Sequence, residues 1–155
     1  MQITGKKGMG DILKTLLQIA FYGGIIFLAI LPFILQAFGT QLNASMFIIY
    51  PNGIVLLIIV KQFIKLFDSL KNNQPFSKSN VIILKNTAKV ALIESILWLL
   101  DLLYEMILAK SYDILIILVL SFLSILFLGV SIALYVLAEL FKEATQYKQE
   151  NELTI

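Results

Sequence analysis

"ILIILVLSFLSILFLGVSIALYVLA", Ile114 to Ala138, contains no charged residue and no proline. It exceeds the roughly 20 apolar residues that cross about 30 Å of hydrocarbon. The whole chain has the same character. Of its 155 residues, 59% are hydrophobic and only 14% are charged, with a mean hydropathy of +0.91. A soluble domain is about 45–50% apolar and about 25% charged, so this excess is too large for one water-facing domain to enclose.

Working outward from that run, three more spans can be read: Ala88 to Ala109, Met46 to about Phe67, and Ile12 to Phe38. The second contains Tyr50-Pro51-Asn52-Gly53, a turn signal. Either Pro51 bends a long helix there, or the helix begins near Gly53. The apolar run of the first span is longer than the 7–15 residues of a signal-peptide core, so it reads as a retained span. In lipid the backbone must satisfy its own hydrogen bonds. The expected fold is therefore an all-α integral membrane protein, an antiparallel four-transmembrane-helix bundle. Residues 1–11 read as a mobile cytoplasmic N-terminus, 12–148 as a single transmembrane domain and 149–155 as a tail.

Every basic residue is a lysine. With the N-terminus inside, Lys6, Lys7, Lys14, Lys61, Lys65, Lys71, Lys78, Lys85, Lys89, Lys142 and Lys148 fall on the inner side, and only Lys110 lies outside. That bias places both termini and the 72–86 connection in the cytoplasm. The outer loops, near 39–45 and 110–113, are short.

The inner connection carries a helix start. Ser77 is a good N-cap. Phe76 and Val81 have the spacing of a hydrophobic staple, with Asn80 as a weak capping-box partner. Pro75 biases Gln74 away from helix and so separates helices two and three. From Lys78 to Ala109 there is no glycine or proline, so the helix spans about 48 Å and outruns the bilayer. Helices two and three, and also four, should extend into the cytoplasm, with residues 65–87 forming a lysine-studded stem. Phe63, Phe67 and Leu70 give one arm an apolar side, and Val81, Leu84 and Ala88 the other. These sides either pack on each other or present a docking surface for a cytosolic partner.

Pro75, Phe76, Ser77 and Asn80 form a Pro-Phe-Ser-x-x-Asn motif. On this motif and on its topology, the chain resembles a bacterial family of small four-helix membrane proteins of unknown function. The resemblance implies a bacterial cytoplasmic membrane location. It also implies gene neighbours encoding small Cro/CI-type helix-turn-helix regulators, and it offers no catalytic residues.

Glu94, Asp101 and Glu105 share one stripe of the third span with Trp98, because they lie seven and four residues apart. Ionisable groups at that depth are costly, and functional suspects by default. The stripe reads either as a proton- or cation-responsive path or as structure. In the structural reading Lys61, at matching depth, pairs with Glu94, while Asn52 and Ser121 hydrogen-bond Asp101. Ala20-x-x-x-Gly24 and Gly129-x-x-x-Ala133 would let helices one and four approach closely, within one chain or in a homo-oligomer. Glu139, Lys142 and Glu143 read as a solvated face.

The chain has neither cysteine nor histidine, which removes thiolate chemistry and the commonest acid–base group and metal ligand. No metal or cofactor motif is present, and the lysines lack a recognition-helix pattern for direct nucleic-acid binding. The expectation is a non-enzymatic regulatory or sensory membrane protein. Its partners would be the lipid bilayer and a small helix-turn-helix regulator held at Lys71, Pro75, Phe76, Ser77 and Asn80. The alternative is a small transporter, channel or immunity-type protein that uses Lys61, Glu94, Asp101 and Glu105.

Overall fold

The computed structural model describes residues 9–37, 42–71, 77–108 and 113–153. These residues form four helices and no strand: α1 Met9–Ala37, α2 Leu42–Lys71, α3 Lys78–Ile107 and α4 Ile114–Leu153. They pack in chain order, α1 on α2, α2 on α3 and α3 on α4. Neighbouring helices run antiparallel, as three sets of contacts show. Lys14 meets Asp68 while Leu28 meets Tyr50; Asn52 meets Asp101 while Phe63 and Leu66 pack near Leu84 and Ala88; and Lys85 meets Glu139 while Ser95 meets Ser124.

The α1–α2 pair answers the question posed by Tyr50 to Gly53. Helix α2 continues through this turn signal with Pro51 inside it, so it does not begin at Gly53. Tertiary contacts override the local preference. Two glycines hold the helices close: a Cβ on Gly24 would lie 2.8 Å from Leu57 Cδ2, and one on Gly53 only 2.6 Å from Leu28 Cδ2. Each leucine is four residues beyond a glycine on its own helix, so the two pairs interlock reciprocally. Tyr50 closes the contact by donating its hydroxyl to the Leu28 carbonyl at 2.8 Å. That carbonyl needs an outside donor, because its partner four residues on is Pro32, which has no N–H.

This pairing corrects the expected approach of helices one and four. Gly24 is filled by Leu57 of α2, while Gly129 has nothing within 4 Å and lies with Ala133 on an exposed face of α4.

The buried apolar cluster sits toward the lysine-rich end. It consists of Leu84 and Ala88 from α3 and Leu134 and Ala138 from α4, with Phe63, Leu66, Val130 and Phe141 packed against it. Of the apolar residues expected along the stem, Phe63 therefore packs with Leu84 and Ala88, and α4 supplies half of the cluster.

Elsewhere Leu31, Ile59, Val81 and Ala91 are buried, but many large apolar residues of all four helices face outward. The chain exposes 10863 Å², where a compact soluble monomer of 17.5 kDa would expose about 7900 Å². Two helices, over Gly10–Ile34 and Ile114–Glu150, are long and apolar enough to cross a membrane, with only 6% of each apolar window buried.

Tyr50→Phe should lower unfolding stability in detergent by about 1–3 kcal/mol, since it leaves the Leu28 carbonyl without a donor. Thermal unfolding followed by circular dichroism checks this, and an unchanged midpoint would contradict it.

Candidate functional site

Helix α3 begins as its sequence dictates. Ser77 is extended, with φ −127 and ψ 149. Its hydroxyl oxygen accepts from the Asn80 backbone N–H at 3.2 Å. Its carbonyl accepts from the N–H groups of Asn80 and Val81 at 3.1 and 3.3 Å. Asn80, expected as a contact residue of the stem, is instead fully buried. Pro75, Phe76 and the Lys71 side chain lie outside the described residues, and with them the staple and the 72–76 tip.

From this start α3 runs unbroken to Ile107 against α4. The two helices are joined side chain to backbone. Ser131 Oγ donates to the Ala88 carbonyl at 2.8 Å. Two turns away, Ser95 Oγ donates to the Ser124 carbonyl at 2.8 Å and Ser124 Oγ returns a bond to the Ser95 carbonyl at 3.0 Å. Ala88 and Ser95 are seven residues apart, as are Ser124 and Ser131, so one antiparallel register satisfies all three bonds. Ala91 and Ala138, both fully buried, let the backbones come near enough. Sequence reasoning missed this seam. Its signal is a small residue every seventh position on α4: Ser124, Ser131, Ala138 and Thr145.

The acidic row divides into unlike members. Asn52, 3% exposed, donates its amide to Asp101 Oδ2 at 2.6 Å, as one of the structural readings expects. Ser121 does not serve; the α4 serines that reach α3 are Ser124, at Ser95, and Ser131, at Ala88. Glu105 is half-buried near the end of the helix.

Glu94 differs from the others. It is 0% exposed, and neither carboxyl oxygen has a hydrogen-bond partner. The Trp98 indole N–H approaches it from the next turn, yet falls short of hydrogen-bond geometry and is itself buried without an acceptor.

The expected Lys61–Glu94 ion pair is absent, because Lys61 is exposed. It continues the outward stripe of Ile54, Ile58 and Lys65, while Ile59 is buried. Depth along the two helices matches, but facing does not.

At the lysine-rich end, Glu139 is not simply part of a solvated face. Lys85 Nζ lies 2.6 Å from Glu139 Oε1, and Lys142 Nζ lies 3.5 Å from Oε2. Lys85 also sits 5.6 Å from the Tyr135 ring centroid. Both partners lie beyond the apolar runs that begin at Ala88 and end at Ala138. The hydrogen bond from Lys85 holds the Glu139 carboxyl below its ordinary range, and the same bond holds the Lys85 ammonium above its own. On the other side of the molecule, Lys14 pairs with Asp68.

Together the described residues define an all-helical protein whose third helix carries a polar row, with Glu94 fully buried and Asp101 and Glu105 half-buried, and a capped, charged start. The described residues contain no group of three or more His, Cys, Asp or Glu side chains that could hold a metal ion. The chain belongs to the family described as "Protein of unknown function (DUF2975)", whose model matches residues 25–155. No curated protein and no solved structure matches the chain.

Two outcomes follow from the seam and the charged end. Ser95→Ala and Ser124→Ala should each cost about 0.5–2 kcal/mol, and the double variant should depart from additivity, since the pair shares one contact; a double-mutant cycle in unfolding experiments measures this. The Glu139 contribution to stability is present above the ordinary carboxylate pKa and is lost as pH falls through its lowered value. The Lys85 contribution is complete below the ordinary lysine value and is lost as pH rises through its raised one. Glu139→Gln should remove both trends from a pH series of unfolding midpoints.

Proposed function

We propose that the chain is a multi-pass protein of a bacterial cytoplasmic membrane, with both termini and the 72–76 connection on the cytoplasmic side. In this reading it is a non-enzymatic regulatory partner that holds a small helix-turn-helix regulator at its stem. The membrane placement is supported by the outward apolar surface of α1 and α4 and by the gathering of lysines at one end. The partner comes from the family resemblance.

The observation that carries the regulatory role is the continuity of α3. One helix, without glycine or proline, links the Ser77 cap to buried Glu94. From Lys85 to Glu94 is about 13 Å along the axis. A change of packing around Glu94 therefore reaches the stem without crossing a hinge. A stimulus acts only if it favours one stem arrangement over another.

Two experiments test the reading. The chain has no cysteine, so single introduced cysteines report sidedness cleanly. In intact cells an impermeant maleimide should label Asp113→Cys, and should label Glu143→Cys only after the membrane is opened. The reverse pattern would overturn the topology. For the partner, replacing residues 71–76 by a Gly/Ser linker keeps the Ser77 cap and the core. It should reduce co-purification of a neighbouring helix-turn-helix regulator at least about tenfold, a loss of about 1.4 kcal/mol of binding. Equal recovery would sink the proposal.

A further inference from the structure

We infer that Glu94 is a proton-binding site and that protonation is the stimulus to which the core around α3 responds. This rests on the regulatory reading above and names its signal. A carboxyl group that is 0% exposed has no neighbouring space as large as a water molecule. Neither of its oxygens receives a hydrogen bond. The neutral acid fits such a setting, whereas a carboxylate would be a buried charge with nothing to compensate it.

Other ligands are disfavoured by the same geometry. A metal ion needs several oxygen donors. The Trp98 indole N–H beside it cannot ligate, and the Ser95 hydroxyl and carbonyl are already bonded to Ser124. An organic cation needs volume that full burial denies. A proton needs neither.

The charged groups around the site do not replace it. On α2, Lys61 and Lys65 are exposed, and the buried residues Asn52 and Ile59 do not titrate. On α4, the residues joined to α3 near this level, Ser124 and Ser131, carry no charge. Further along, Tyr135 lies beside Lys85, and Glu139 and Lys142 pair at the stem end. On α3 itself, Lys85 is held by Glu139 and Lys89 is exposed. Asp101 lies two turns on, bonded to Asn52, and Glu105 lies beyond it. Both are acids, so neither steadies a Glu94 carboxylate. Loss of the proton therefore requires the helices packed on α3 to part far enough for water to enter. The serine seam lies one residue away and would feel that parting first.

The molecule carries its own reporter. Trp98 is the single tryptophan, and its buried indole N–H approaches Glu94. The full chain, reconstituted in nanodiscs of phosphatidylglycerol and phosphatidylcholine, is titrated from about pH 5 to about pH 9, the range over which a buried carboxyl is displaced. Trp98 emission should shift in one transition. Glu94→Gln should abolish that transition while Asp101→Asn keeps it. Infrared difference spectra of Asp101→Asn should show a protonated-carboxyl band that bleaches over the same range, a readout that does not depend on the Glu94 variant folding. A transition that survives in Glu94→Gln, a silent Trp98 in the unsubstituted chain, or an absent carboxyl band would each overturn the inference. The titration involves no partner, so its failure leaves the stem reading to its own pulldown, and failure of the pulldown leaves the proton site standing.

Discussion

The exchange of hydrogen bonds between Ser95 and Ser124 fixes the part of the molecule on which the rest depends. Each serine gives its proton to the other's carbonyl, so neither helix can slide without breaking two bonds. A third bond, from Ser131 to the Ala88 carbonyl, repeats the setting two turns away. With that register fixed, Lys85 can reach Glu139, and Leu84 and Ala88 meet Leu134 and Ala138. Where neighbouring helices have little hydrophobic drive to associate, small residues and side-chain-to-backbone bonds decide the alignment. The seam supplies both.

The polar groups of the interior follow two strategies. Asn52 donates its amide to Asp101 across α2 and α3, which fixes the relative height of those helices much as the serines fix α3 and α4. Glu94 is satisfied by no one. A buried acid left in that state is a local conflict between burial and chemistry, and such conflicts concentrate at functional positions. The Trp98 indole N–H beside it falls short of a hydrogen bond, and the Ser95 hydroxyl is bonded to Ser124, so neither relieves the conflict.

Much of this was legible in the sequence. The Ser77 cap was readable because N-capping is local: one hydroxyl, three residues, one turn. Asn52 beside Asp101 was readable from depth alone. Other features were not, for physical reasons. The Tyr50-Pro51-Asn52-Gly53 sequence is a strong turn signal in isolation. Only the neighbouring helices give three of its members a place in the packing, with Tyr50 on the Leu28 carbonyl, Asn52 on Asp101 and Gly53 under Leu28. Lys61 matched Glu94 in height but not in face, and a depth argument holds no information about rotation. The small-residue pattern at Gly24 rightly marked a close approach but not its partner, because the pattern names a surface and not what will cover it. The serine seam escaped notice because serines in an apolar helix are easily read as tolerated polar residues.

The bond from Tyr50 to the Leu28 carbonyl also bears on how the chain can be assembled. Alone in hydrocarbon, α1 would carry a carbonyl that Pro32 deprives of its donor, a deficit of about 2 kcal/mol or more. Joined to α2, it carries none at that position. The smallest unit with this part of the backbone satisfied is therefore α1 paired with α2 and not the first helix, so in the membrane reading proposed above apolar length alone would not make α1 a self-sufficient insertion element.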